Sequence, residues 1–257
     1  MRGSPDKSIV RHSVGRAGNQ VRVNRDSVFD YGRPAGYGGN RTAADVVAQW
    51  IMEESSGNLT DYVSGIVLTA NGTPTYGVVA TGPHGRKGPG ITFDGATDYF
   101  INAGAQASMD IGTTDNFVLE ANIKVSSGAG AGALTIHDTW QTTDGISWWI
   151  DTGGTVVSLY LENDPTTVQV DWTIDDIRDD KEHKLHIACT RGGNAILRID
   201  NVLIAGSSSI AALDGDAIPA EGASIGGSLW NPGTDLFEGT IYEVRVTVGN
   251  STNDSGP

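Results

Sequence analysis

The chain has 257 residues, with 35 glycines, one cysteine and a net charge of −14. One thiol closes no intramolecular bridge, so a disulfide-stapled scaffold is excluded. The acidic balance argues against non-specific nucleic-acid binding. Charge is unevenly spread: residues 1–42 hold eight basic and three acidic groups, whereas the rest hold 9 and 28, a net −19.

Residues 1–42 are rich in Arg, Gly, Ser and Asn, with scattered apolar residues that build no core. The segment reads as a basic extended arm held by a partner surface, the alternative being a tail folded back on its own acidic domain. Its docking groups would be Arg2, Arg11, Arg16, Arg22, Arg25, Phe29, Tyr31 and Arg33. No apolar run near Met1 resembles a signal-peptide core, and none anywhere reaches membrane-spanning length, so neither a leader nor membrane insertion is expected.

Residues 43–249 read as one β domain, and 250–257 as a solvated tail. Val46, Val47, Trp50 and Ile51 suit a first strand, although helical periodicity fits 43–52 almost as well. Residues 53–61 read as a polar loop, 66–69 as a strand, 82–90 as a loop, and 91–93 and 99–102 as strands about the turn Asp94–Asp98. Phe117, Leu119, Ala121, Ile123 and Val125 alternate with polar residues, the mark of a half-buried antiparallel strand. Strands over 134–137, 146–150, 156–161 and 168–174 follow at roughly ten-residue spacing. From Lys184 to Ala205 strict alternation is broken by Arg191-Gly192-Gly193-Asn194 and by Asp200-Asn201, which predicts a three-strand meander with Cys189 on an apolar face. A looser connection over 210–223, a short strand at 224–227 and a closing strand at 241–248 complete the domain. A dozen short strands exceed what one open sheet carries comfortably. The fold class expected is therefore all-β, a two-sheet antiparallel jelly-roll β-sandwich behind an extended N-terminal arm.

Several stretches, in order, carry a family resemblance: Trp50 to Asp61, Phe93-Asp94-Gly95-Ala96-Thr97-Asp98-Tyr99-Phe100, Phe117 to Ala121, His186 to Arg191, and Phe237 to Val246. Together they resemble a laminin-G-like member of the concanavalin A-like lectin/glucanase superfamily. The resemblance spans about Trp50–Val248 and implies a binding or adhesive sandwich, for glycans or protein partners, sometimes with calcium at a sheet edge. The chain departs from the family's pattern at Lys184-Leu185-His186, where Trp-His-His is usual, and at Asp200-Asn201, in place of Asp-Gly.

The superfamily includes glucanases, which need two carboxylates projecting into one cleft. Glu162 with Asp164, and the run Asp175, Asp176, Asp179 and Asp180, have that composition but read as a strand end and a solvated loop, and no catalytic residue is assigned. Asp94 and Asp98 flank a tight hairpin, where they either contribute to a calcium site or accept backbone N–H groups; no other cofactor is expected. In Ile146-Ser147-Trp148-Trp149-Ile150, parity turns Trp148 to the core and Trp149 outward. Outward Trp149, with Trp140, Tyr160 and Trp230, forms a candidate glycan platform, the alternative being rings packed under loops or against a neighbour. The leading functional expectation is a non-enzymatic virion protein, such as a bacteriophage capsid decoration assembled in the host cytoplasm. Its partners would be other virion proteins or neighbouring copies, reached through residues 1–42. The alternative is a glycan-binding adhesin on a phage tail or cell surface that recognises polysaccharide; a glucanase-type hydrolase is a remote third reading. Neither reading needs specific nucleic acid.

Overall fold

The computed structural model describes residues 46–79, 88–130, 132–151, 153–206 and 208–249. Among the described residues seventeen strands run in order: β1 (Val46–Trp50), β2 (Leu59–Thr60), β3 (Val67–Asn71), β4 (Thr75–Val79), β5 (Pro89–Asp94), β6 (Tyr99–Asn102), β7 (Phe117–Val125), β8 (Leu134–Asp138) and β9 (Asp144–Ile150). There follow β10 (Val156–Asn163), β11 (Thr166–Thr173), β12 (Glu182–Cys189), β13 (Asn194–Ile199), β14 (Val202–Leu203), β15 (Ser208–Ser209), β16 (Ala223–Ile225) and β17 (Glu238–Val248). Short 3-10 turns occupy Ala107–Met109 and Ala211–Leu213. No helix among the described residues is long and apolar enough to cross a membrane.

Two antiparallel sheets form. The nine-stranded sheet is ordered β14-β13-β12-β7-β17-β5-β4, with β1 on β17 and β15 on β13; the eight-stranded sheet is ordered β11-β10-β9-β8-β16-β6-β3-β2. Register follows the alternation read in the sequence. Leu185, Ile187 and Cys189 of β12 lie opposite Ala121, Leu119 and Phe117 of β7, and opposite Ile199, Leu197 and Ala195 of β13. All nine side chains are buried, so one slip in register would turn a whole row to solvent. Asp200 and Asn201 both take positive φ (53° and 68°), which suits the twist of a two-residue hairpin loop. Cys189 is a buried free thiol whose ionisation burial opposes.

The core lies between the sheets. Trp50 of the larger sheet packs on His137 of the smaller, with ring centroids 5.7 Å apart. Phe93 meets both Phe100 and Phe237 edge to face at 5.8 and 6.1 Å, an arrangement the aromatic quadrupole favours. Trp148 and Trp172 are fully enclosed, and the indole N–H of Trp172 donates to the Gly206 carbonyl (2.9 Å).

Several boundaries depart from the sequence reading. Of the two readings open for 43–52, the strand holds at Val46–Trp50, where β1 pairs along β17. The polar loop 53–61 ends in β2, whose Leu59 is buried opposite Leu68. The loop expected over 82–90 gives its last two residues to β5. Strand β4, unforeseen in the sequence, pairs with β5 through a register shift between Thr75 and Val78, where Gly77 takes φ 75°. The loose connection after 210 is preceded by β15 and contains a 3-10 turn. The arm (1–42) and tail (250–257) lie outside the described residues.

Candidate functional site

Three of the four aromatic residues proposed for the platform converge. Trp140, in the loop after β8, meets Tyr160 of β10 edge-on at 5.2 Å and stacks on Trp230, from the β16–β17 loop, at 5.5 Å and 24°. Trp140 and Tyr160 are half-buried, whereas Trp230 is 58% exposed, a large apolar face left to solvent. Trp149 faces outward as parity required, with Trp148 opposite it in the core. It stands two residues along β9 from Ser147, the partner of Tyr160. The diagonal separation of about 7–8 Å places it beside the trio, not in it.

A carboxylate absent from the sequence reading organises the cluster. Asp138 is buried at the end of β8 and binds two segments at once. Its Oδ1 accepts the backbone N–H of Trp140 (2.8 Å), and its Oδ2 that of Leu229 (2.9 Å), with the Ser228 hydroxyl 3.5 Å away. Burial pushes its pKa up to about 7, against the pull of the Leu229 and Trp140 N–H groups and Ser228, and the charge of Asp235 adds to the rise. The loop above is braced within itself: Thr234 N–H and hydroxyl both donate to the Asn231 carbonyl (3.1 and 2.7 Å).

Glu221 fixes the other side. Its carboxylate accepts the backbone N–H groups of Gln141 (2.9 Å), Thr142 (2.5 Å) and Thr143 (3.2 Å), and the Thr142 hydroxyl (2.7 Å). Burial alone would raise its pKa, but these donors, those of Thr142 first, bring it down to about 2. Gly145 closes the loop at φ 138°, packed so tightly that a Cβ would fall 2.6 Å from Trp140 Cα.

The proposed calcium ligands are occupied differently. Asp94 Oδ1 accepts the N–H groups of Ala96 (2.8 Å), Thr97 (2.7 Å) and Asp98 (3.0 Å), while Asp98 accepts from Thr73 (2.7 Å) and Asp94 (3.2 Å). Both carboxylates thus serve as turn acceptors. Against the upward push of burial, the bonds from Thr97, Ala96 and Asp98 lower the pKa of Asp94 to about 2. Its contribution to stability is present above the ordinary value of 3.8 and lost as pH falls toward 2. Replacing it, Asp94→Ala, should cost about 1 kcal/mol at neutral pH, allowing for solvent screening, and only a small fraction of that at pH 2. Urea unfolding at the two pH values measures this, and a chelator should leave the melting temperature unchanged. Among the described residues no group of three or more His, Cys, Asp or Glu is placed to hold a metal.

The carboxylates considered for hydrolysis are likewise engaged. Glu162 accepts the Tyr160 hydroxyl (3.1 Å) and the Thr167 hydroxyl (3.3 Å); Asp176 pairs with Arg178 (3.0 Å); Asp179 binds Lys181 (2.7 Å) and His183 (3.2 Å); Asp180 accepts the Ser127 hydroxyl (2.5 Å). The docking residues Arg2, Arg11, Arg16, Arg22, Arg25, Phe29, Tyr31 and Arg33 lie outside the described residues.

Fold and site together define a concanavalin A-like sandwich carrying an aromatic platform on one sheet. Solved structures similar to it include the binding domain of botulinum neurotoxin serotype G (17% identity, TM-score 0.56, covering 80% of this chain and 49% of that one). The serotype D binding domain is also similar (13%, 0.58, 82% and 49%). So is the binding domain of botulinum neurotoxin DC in complex with SialylT (13%, 0.52, 79% and 48%). The chain therefore spans about half the length of these domains, and identities this low establish shared fold alone. No family model matches the chain, and no curated protein matches it in sequence.

Proposed function

We propose that the sandwich is a non-catalytic carbohydrate-binding module, with Trp230 as its stacking surface and Trp140 and Tyr160 as its backing. The observation that carries this reading is the convergence of three rings from separate segments, leaving the Trp230 face open to solvent. A lone exposed tryptophan is unremarkable. One stacked on a second indole, with both loops bound to the same buried carboxylate, is a prepared surface. The fold is consistent with it: one similar domain is described as receptor-binding, and a similar binding domain is solved with SialylT and also with rat synaptotagmin II. A virion location and docking through residues 1–42 rest on composition alone, and no feature of the described residues favours them.

Glycan-array screening followed by calorimetry tests the proposal. Trp230→Ala should weaken binding by about tenfold or more, the equivalent of one lost stacking contact. Because the ring is exposed, circular dichroism and melting temperature should be unchanged. Equal binding by wild type and variant would remove Trp230 from the site, and an array without a hit would remove the carbohydrate reading.

A further inference from the structure

We infer that the platform accepts carbohydrate free of carboxylate, sulfate or phosphate groups and discriminates against acidic counterparts. This inference rests on the carbohydrate reading above. Lys and Arg at described positions are Lys124, Arg178, Lys181, Lys184, Arg191, Arg198 and Arg245. They lie on β7, β12, β13 and β17 or in the loops leading into β12 and β13. None falls in the eight strands of the platform's sheet, nor in the loops 139–143, 164–165 and 226–237 around the rings. Arg178 approaches that sheet at the Gly154 end of the β9–β10 hairpin, bound to Asp176. Three residue pairs separate that end's first pair, Ile150 with Val157, from Ser147 with Tyr160, about 10 Å of strand.

Carboxylates surround the rings instead. Glu162 holds the Tyr160 hydroxyl, and Asp144 Oδ1 accepts the Asp164 N–H (3.1 Å). Glu221 lies under the Trp140 loop, and Asp235 is close enough to Asp138 to affect its ionisation. An acidic sugar is ordinarily held by an arginine fork, a lysine or a nest of backbone N–H groups. The nest available here, Gln141 to Thr143, is filled by Glu221. An incoming anion thus meets like charges and no vacant cradle among the described residues. Neutral sugar hydroxyls can donate to the same carboxylate oxygens.

Matched probe pairs on the full chain test this: N-acetyllactosamine against its sialylated form, dextran against dextran sulfate, and methyl-esterified against free polygalacturonate. In any pair that binds, the neutral member should be tighter by about tenfold at low salt, and the gap should narrow as salt screens the repulsion. The double variant D144N/E162Q should narrow it without added salt. Equal or tighter binding of the acidic members overturns the charge inference while leaving the carbohydrate reading intact. Failure of every neutral and acidic probe overturns the carbohydrate reading and this inference with it.

Discussion

Gly145→Ala should lower the melting temperature by about 10 °C and abolish the platform. The added Cβ would stand 2.6 Å from Trp140 Cα, 2.7 Å from the Thr139 carbonyl oxygen and 2.7 Å from Trp140 N, all backbone atoms with no rotamer to yield. Strain at φ 138° adds roughly 1–3 kcal/mol, and overpacking a similar amount. For a domain of this size each kcal/mol shifts the transition by roughly 2–4 °C. Relief requires the 139–140 backbone to move, which pulls Trp140 away from Tyr160 and Trp230. Gly153→Ala is the control. It has positive φ (91°) in the turn joining β9 to β10, but its Cβ would meet nothing closer than Thr155 Oγ1 at 3.8 Å. Its cost should be roughly 1 kcal/mol of strain, with ligand binding retained. Equal melting shifts for the two alanines would show that backbone strain, not the contact with Trp140, sets the effect.

Between pH 4 and 6.5, His137→Leu and Asp138→Asn should tilt the stability profile in opposite directions. Burial lowers the His137 pKa from 6.5 to about 4, and its two ring nitrogens have no hydrogen-bond partner among the described residues. The unfolded chain therefore takes up that proton first, and stability falls as pH drops from 6.5 to 4. Asp138 is raised from 3.8 to about 7, so the folded chain holds the extra proton, and stability falls as pH rises from about 4 to 7. Each slope is at most about 1.4 kcal/mol per pH unit, and in the wild type they oppose one another. Removing His137 should leave stability falling with pH; removing Asp138 should leave it rising. His183 is raised, first by its hydrogen bond to Asp200, so its contribution is complete below 6.5 and is lost only above the window. The depressed carboxylates Asp94 and Asp179 act below it, and Glu221, whose ordinary value is 4.5, enters only at its acid edge. Urea midpoints at three pH values decide the matter, and profiles parallel to the wild type in both variants would refute the opposition.

What could be read from the sequence depended on the range of the interactions involved. Alternation is local, so β7, β12 and β13 and the opposite facing of Trp148 and Trp149 were legible residue by residue. The members of the aromatic platform were legible as types, since tryptophan in loops is conspicuous. Their supports were not. Asp138 reads as a polar residue closing a strand, and its bond to Leu229 spans 91 positions; Glu221 reaches Gln141 across 80. Carboxylates that anchor loops carry no local spacing signature. Short strands such as β2 and β4 depend on their partners in the same way, and five residues give β4 little pattern to show.

The double grip of Asp138 bears on the kinetics of recognition. Trp140 and Leu229–Trp230 belong to loops that would otherwise pay an ordering cost each time a ligand arrived. Tied to the last residue of a core strand, they meet that cost during folding. A sugar settling on Trp230 would then find its surface already assembled, and association would proceed at a similar rate for good and poor ligands. Discrimination would appear in how long each remains bound.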